Sequence, residues 1–182
     1  MLKFAFIMNV PGTSPDKDFA VFENEESYTL LAETSTYEMT EALVLKLAKD
    51  GITIVDLCGD FDDLAVERLT KATNGKVQVR HADYFPDEMA KMDKLPSLKE
   101  YGIIIAMDGV QTTQIREILN KECNTYVHFI KDLEGAKTAA KNLLNQGVYF
   151  IELCSWFDKE KTQSLIHAVE GKLPIGSCGE LS

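Results

Sequence analysis

Short apolar segments alternate along the chain with longer segments in which apolar residues recur at helical spacing. Residues 4–8 and 101–107 are largely apolar and lead into turn-forming residues, which is typical of buried strands. Residues 37–50 and 133–146 carry a wide apolar stripe on one helical face. In each half, the pattern predicts the order strand, helix or loop, strand, helix, strand, helix, strand.

The pattern occurs twice because the chain is a tandem duplication. Residues 51–62, GITIVDLCGDFD, return as residues 147–158, GVYFIELCSWFD. The two cysteines of these segments, Cys58 and Cys154, are 96 residues apart, and the same spacing aligns the flanking helices without a gap. The predicted organisation is repeat one at 1–85, a helical linker at 86–100 and repeat two at 101–182.

The second element differs between the halves. Residues 111–122 place Ile115, Ile118 and Leu119 at helical spacing, which predicts a helix. The corresponding residues 13–27 are more polar and fit either a short helix or an ordered loop.

Capping residues mark the helix that follows the second strand. Thr36 and Asp132 occupy equivalent positions just before it, where a side-chain oxygen can accept from the free N–H groups of the first turn. Gly51 and Gly147 end the same helices, where a left-handed residue is usually required. We therefore expect the two helices to begin and end at matching positions.

Apolar strands that alternate with helices imply parallel strands joined by right-handed crossovers. Eight such strands can close into a compact (βα)8 TIM-like barrel, or each half can keep its own sheet as two open α/β lobes in a pseudo-dimer. We predict the barrel, because a four-stranded parallel sheet has two open edges that duplication can join. The chain is nevertheless short beside the ~250 residues of a typical barrel.

Composition indicates a folded protein, with 45% apolar and 26% charged residues. Nineteen basic and 29 acidic residues give a net charge of −10, which disfavours nucleic acid and anionic membranes as partners. No apolar run approaches the ~18 residues of a membrane span. The N-terminal apolar run lacks a cleavage site and is interpreted as a strand rather than a signal peptide. The four cysteines show no CxxC spacing, which favours reduced thiols and a cytoplasmic location.

Short motifs stand out in both halves: Pro11-Gly12, Asp56-Leu-Cys-Gly59 and Gly75-Lys-Val77 in the first half, and Glu152-Leu-Cys154 and Gly171-Lys-Leu-Pro174 in the second. Through these motifs, each half resembles a family of small uncharacterised bacterial proteins. The second half lacks the early Pro-Gly. The resemblance implies a bacterial cytoplasmic setting and, since members are usually one half long, the assembly of one half with another. It implies no activity.

The repeated strand supplies the candidate catalytic residues. Side chains alternate along a strand, so Asp56 and Cys58 face one side, as do Glu152 and Cys154. A carboxylate in an apolar strand is costly to bury unless it is paired, hydrogen-bonded or neutralised. One interpretation is an acid/base pair, with two adjacent thiols, that faces a shared pocket. The alternative is that each carboxylate anchors a neighbouring loop through backbone N–H groups, or pairs with a lysine.

Polar residues at other strand ends are candidates for ligand binding; they are Asn9, Arg80, His81, Asp108 and His128. Arg80 is the expected partner of an anionic group. For the two histidines, the preferred interpretation is a surface residue or a core residue with satisfied hydrogen bonds. The histidines and cysteines lack the spacing of a metal site, and no GxGxxG or GxxxxGK[ST] motif occurs, so we expect neither a metal nor a cofactor.

These features favour a small cytosolic ligand-binding protein or enzyme with a pocket at the C-terminal ends of its strands. Carboxylates would act there as acid/base groups or acceptors for a small-molecule ligand. The alternative is a non-enzymatic assembly or regulatory module that arose by fusion of an ancestral homodimer. Homo-oligomers are compatible with both.

Overall fold

Each half of the chain forms its own five-stranded sheet and two helices in the computed structural model, which describes residues 1–182. The first half comprises β1 (Leu2–Asn9), β2 (Phe19–Glu23), β3 (Ser27–Thr34), α1 (Tyr37–Lys49), β4 (Ile54–Leu57), α2 (Asp63–Ala72) and β5 (Gln78–His81). Helix α3 (Pro86–Met92) follows. The second half comprises β6 (Glu100–Ala106), β7 (Gln114–Leu119), β8 (Asn124–Ile130), α4 (Leu133–Gln146), β9 (Phe150–Leu153), α5 (Lys159–Ala168) and β10 (Ile175–Ser177).

The two sheets have the same topology. The strand order is β2-β3-β1-β4-β5 in the first half and β7-β8-β6-β9-β10 in the second. Four strands of each sheet are parallel, and β2 and β7 pair antiparallel with β3 and β8. The sequence pattern thus predicted the parallel crossovers and the duplication correctly.

The predicted (βα)8 barrel does not form. Each half keeps a separate sheet, as in the alternative arrangement, and the antiparallel strands β2 and β7 end the sheets instead of continuing them. The backbone pairing between the two halves is one isolated bridge between Asp83 and Ser177. In each sheet a hairpin pairs the outermost parallel strand, because β2 hydrogen-bonds to β3 and β7 to β8. Closure into a single barrel is therefore not needed to satisfy the backbone groups of β3 and β8.

The helix predicted over residues 111–122 is strand β7, and the short helix or ordered loop predicted over residues 13–27 contains strand β2. The buried residue of β7 is Ile118, whereas Ile115 and Leu119 are 49% and 56% exposed. Ile115 and Leu119 are four residues apart, which fits a helix, but they lie on the exposed side of an edge strand. Antiparallel pairing with β8 satisfies the backbone groups of β7 and outweighs the helical pattern.

The N-caps predicted for both helices and the glycine predicted to end α4 are confirmed. Thr36 accepts from the amide of Met39 at the start of α1, and Asp132 accepts from the amide of Gly135 at the start of α4. Gly147 ends α4 in the left-handed region at φ 98°. The two helices begin at equivalent residues because they share N-terminal capping chemistry. Their C-terminal ends differ by one residue, since α1 ends at Lys49 with Asp50 as its C-cap, and Gly51 follows in the left-handed region at φ 89°.

The inner faces of the two sheets pack against each other, and the helices cover the outer faces. Phe22 of β2 stacks on Phe129 of β8 with ring centroids 4.3 Å apart, which joins the halves near one edge. The central strands β1 and β6 are buried on both sides, as parallel strands between two layers should be. None of the helices has the length and apolar character that crossing a membrane requires.

Candidate functional site

The two in-strand carboxylates anchor loops of opposite halves. Asp56 Oδ2 in β4 accepts a hydrogen bond from the amide of Ser155, 2.6 Å away. Glu152 in β9 accepts from the amide of Gly59, 3.0 Å from Oε2. Gly59 and Ser155 are themselves equivalent residues of the duplication. The contacts are therefore reciprocal and relate the halves by a pseudo-twofold axis.

Two tyrosines distinguish the Glu152 side from the Asp56 side. Tyr84 donates its hydroxyl to Glu152 Oε2 at 2.6 Å, and Tyr101 donates to Oε1. Strand register places Phe4 at the position equivalent to Tyr101, because Phe4 lies beside Ile54 and Tyr101 beside the equivalent Phe150. Phe4 has no hydroxyl, and the buried Asp56 Oδ1 has no hydrogen-bond partner.

Two glycines, Gly59 and Gly176, leave the space that Tyr84 occupies. A Cβ on Gly176 would lie 2.5 Å from the Tyr84 ring, and a Cβ on Gly59 would lie 2.7 Å from Glu152 Oε2. The equivalent residues on the other side are Arg80 and Ser155, which carry side chains. The tyrosine therefore fits against only one of the two carboxylates.

Burial dominates the electrostatics of both carboxyl groups. It raises the pKa of Asp56 to about 7, against the lowering effects of the Ser155 hydrogen bonds and the Arg80 charge. Burial also raises the pKa of Glu152, and the hydrogen bonds from Tyr101, Tyr84 and Gly59 oppose it. Neither carboxyl is neutralised by a close ion pair, so each depends on hydrogen bonds for stabilisation.

The thiols beside these carboxyls are not activated. Burial and the charge of Glu152 raise the pKa of the Cys58 thiol, and burial and the charge of Asp56 raise that of Cys154 to about 12. Cys58 Sγ accepts from the amide of Asn9 at 3.2 Å, and Cys154 Sγ accepts from the amide of Ala106 at 3.4 Å. Protonated thiols in such surroundings act as small core residues rather than nucleophiles.

A cavity of about 550 Å³ opens beside Glu152, between the halves. It lies at the C-terminal ends of β1 and β4 in the first sheet and at the N-terminal ends of β6 and β9 in the second. Asp56 contacts Ser155 and Gly59 contacts Glu152, so β4 and β9 face each other in opposite directions. The pocket expected at strand C-terminal ends therefore forms from both kinds of strand end. Its size is within the range of small-molecule sites.

Helix α3 and the segment after it form one wall of the cavity. Glu88 holds the helix in place, because its buried carboxylate accepts from the amide of Ile175 in β10 at 3.1 Å and pairs with Lys91. The helix presents Met89 to the cavity, and the following segment contributes Leu98. Both of these side chains are 45% exposed at the mouth.

The cavity combines apolar walls with acidic groups. Ten of its 19 lining residues are apolar. Four of the lining residues carry carboxyl groups, and one lining residue, Lys99, carries an amine. The carboxyl residues are Asp60, Asp93, Glu122 and Glu152.

The structure brings together some of the predicted catalytic residues. Cys58 and Glu152 line the cavity, whereas Asp56 and Cys154 do not. The four side chains therefore do not share this cavity. In the cavity wall, the carboxyl of Glu152 from the second half lies with the thiol of Cys58 from the first half.

Among the predicted ligand-binding residues, Asn9 lines the cavity, and Arg80 pairs in register with Asp56 on the neighbouring strand. Asp108 is exposed, and its carbonyl accepts from Asn24 and Ser27.

The two histidines lie away from the cavity. His81 Nε2 lies 2.7 Å from Asp63 Oδ1. Burial lowers the pKa of His81, but the hydrogen bonds to Asp63 and Ala82 and the neighbouring acidic charges outweigh burial and raise it. His128 is buried in β8 with Nδ1 unpartnered, and burial lowers its pKa.

The residues that sequence reasoning missed are Tyr84, Tyr101, Glu122 and the wall built on α3. The comparison of the halves carried one signal, since Gly176 replaces Arg80 at the 96-residue spacing. That spacing pairs Tyr101 with Ala5, and it is the strand register that shows Tyr101 in the position of Phe4. Sequence reasoning also missed a buried acid outside the cavity, Glu33. Glu33 accepts from Asn120 and Thr125 of the other half, and burial raises its pKa to about 7.

Fold and site define a tandemly duplicated α/β protein with a cavity between its halves. The chain belongs to DUF6506, a family of unknown function, whose model matches residues 2–97 and again residues 99–179. The double match confirms the duplication and the membership in an uncharacterised family. A comparison with curated proteins found no match.

Two solved structures show a distant similarity. An ABC transporter solute-binding protein from Conexibacter woesei DSM 14684 is 15% identical, with a TM-score of 0.35, and the match covers 96% of this chain and 69% of that one. An ABC transporter solute-binding protein from Clostridium phytofermentans, with bound L-rhamnose, is 10% identical, with a TM-score of 0.36 over 96% and 68% of the chains. Similarity at this level does not transfer a ligand to this chain.

Proposed function

We propose that the protein binds a small organic molecule in the cavity between its halves. The observation that carries the proposal is the cavity itself, about 550 Å³ in volume, whose wall combines ten apolar residues with the buried carboxyl of Glu152 and two tyrosine hydroxyls. Small-molecule sites typically combine an apolar lining with a few convergent polar groups. An apolar part of the ligand would contact the methionines, and a polar part would lie near Glu152.

Glu152 acts in this proposal as a fixed acceptor. Its two oxygens receive the Gly59 amide and both tyrosine hydroxyls, which holds the carboxyl in one orientation. A bound ligand would then meet a preorganised polar group and would not have to order it.

Methionine methyl groups provide a direct test. The chain has six methionines, of which Met8, Met89 and Met92 line the cavity and Met1, Met39 and Met107 do not. Protein labelled with 13C at the methionine methyl groups is titrated with 1-hexanol, a neutral probe small enough for the cavity. We expect saturable shifts of the first three methyl resonances and unchanged positions for the other three.

Leu98→Trp should abolish these shifts by filling the mouth. Leu64→Trp is the matched control, since Leu64 is 60% exposed on α2 and outside the cavity. Shifts that are spread over all six methionines, or that persist in Leu98→Trp, would contradict the proposal.

As a second candidate function, we propose that the chain is a fused homodimer that acts as an assembly module. Its two units would be repeat one at 1–85 and repeat two at 101–182, joined by the linker at 86–100. The reciprocal hydrogen bonds of Asp56 and Glu152 favour it, since each half anchors an equivalent loop of the other. Expression of residues 1–85 tests this candidate by sedimentation velocity. A folded dimer supports fusion of two self-associating units, and an unfolded fragment contradicts it.

A further inference from the structure

We infer that the ligand of the cavity is an organic cation, an ammonium group joined to a compact apolar body. The inference rests on the proposed function and names the chemical class that the cavity selects. It is carried by the charges on the cavity wall, by their lack of cationic partners and by the apolar and aromatic surfaces beside them.

Carboxyl groups outnumber amines on the wall by four to one. Asp60 and Asp93 are exposed and take part in no ion pair. Glu122 has one partner, the neighbouring Lys121, whose amine is 3.9 Å away on a side chain that is 88% exposed. Such a distant and solvated pair contributes little, so the carboxylates remain available to a ligand.

The acids surround one cavity, so their contributions to the electrostatic potential inside it add up. Carboxylates around a partly enclosed, low-dielectric cleft focus a negative potential into it, which concentrates cations and repels anions. The protein's net charge of −10 acts in the same direction. Arg80, which the sequence favoured as an anion-binding residue, does not line this cavity, and Lys99 is exposed at its edge.

The remaining wall distinguishes an organic cation from a hydrated metal ion. Met89, Met92 and Leu98 supply apolar surface that a hydrated ion would not use. Tyr84 and Tyr101 supply aromatic rings, which attract ammonium groups through their negative faces. A ligand that matches both features needs a positive end and an apolar body.

Three six-carbon probes separate charge from shape. Hexylammonium, 1-hexanol and hexanoate are titrated at pH 7 and constant ionic strength into the full-length protein labelled at the methionine methyl groups. We expect hexylammonium to bind roughly tenfold more tightly than 1-hexanol, with hexanoate the weakest, and we expect this preference to shrink at high salt.

Substitutions on the wall test the source of the preference. Glu122→Gln and Asp60→Asn should each weaken hexylammonium binding by about threefold and should change 1-hexanol binding by much less. Glu117→Gln, an exposed acid of β7 outside the cavity, is the matched control and should change neither.

The outcomes distinguish this inference from the proposed function. Hexylammonium binding no tighter than 1-hexanol, or unaffected by Glu122→Gln and Asp60→Asn together, overturns the cationic ligand but leaves a small-molecule cavity. Failure of all three probes to shift Met8, Met89 and Met92 overturns the proposed function as well.

Discussion

The carboxyl group of Glu152 accepts a hydrogen bond from the amide of Gly59, 3.0 Å away and in the other half of the chain. The equivalent pair, Asp56 and Ser155, makes the equivalent bond at 2.6 Å. The repeated acidic strand therefore has a structural role on both sides of the pseudo-twofold axis. On one side it also forms part of a cavity wall, because two tyrosines and two glycines occur there.

Loss of the Glu152 anchor should destabilise the fold. Glu152→Ala leaves the Gly59 amide and two tyrosine hydroxyls without their acceptor, and we expect a loss of about 3 kcal/mol in the free energy of unfolding. Glu152→Gln keeps one acceptor oxygen and should lose less. Urea denaturation followed by circular dichroism measures both. Glu117→Ala, at an exposed position, should stay within about 0.5 kcal/mol of wild type, and equal stability of Glu152→Ala would contradict the anchor.

Stability should fall as pH rises from 4 to 7 because of Asp56. Its pKa is about 7 in the folded protein against an ordinary value of 3.8, so between these values the unfolded chain releases a proton that the folded protein keeps. The stabilisation is complete below pH 4 and is lost as pH passes 7, by an amount on the order of 4 kcal/mol. Glu33, also with a pKa of about 7, acts in the same direction.

The Asp56 contribution is isolated by comparing urea unfolding at pH 4.5 and pH 7.5 in wild type and Asp56→Asn. The variant should show a shallower decline, and Asp16→Asn, at an exposed aspartate, should match wild type. An identical pH dependence in Asp56→Asn would show that Asp56 does not have the raised pKa.

Phe4→Tyr should supply the hydroxyl that the first half lacks. Phe4 is equivalent to Tyr101, and Asp56 Oδ1 has no partner, so a new hydrogen bond is expected to stabilise the protein by about 1 kcal/mol. A double-mutant cycle with Asp56→Ala measures the coupling between the two positions by urea denaturation. The gain should disappear in the Asp56→Ala background, and a gain that persists there would have another origin.

Gly176→Ala should displace Tyr84 from Glu152. The added Cβ would lie 2.5 Å from the tyrosine ring, which forces a shift that we expect to cost about 2 kcal/mol. The same substitution should cost much less in a Tyr84→Ala background, which thermal denaturation of the four proteins would reveal. Gly135→Ala, where the nearest atom is 3.4 Å from the added Cβ, is the control and should be neutral or stabilising. Equal costs in both backgrounds would exclude a clash with Tyr84.

The sequence predicted that Asp56 and Glu152 are important, but it did not predict which side chains surround them. Alternation along the strand placed Asp56 and Cys58 on one face, and duplication placed Glu152 and Cys154 likewise. Whether these side chains face one pocket depends on how the sheets stack, and the stacking separated them into two environments. Tyr84 and Tyr101 reach Glu152 from other elements of the chain, so spacing around Glu152 carried no sign of them.

Local patterns alone determined the duplication, the helix caps at Thr36 and Asp132 and the parallel strands, because those features depend on neighbouring residues and on periodicity. The tertiary structure decided that residues 114–119 pair as a strand, that two sheets form instead of one barrel, and that a cavity opens on the Glu152 side. These outcomes depend on contacts between residues distant in sequence. An edge strand is stabilised by its partner, and a cavity exists only where packed surfaces leave space.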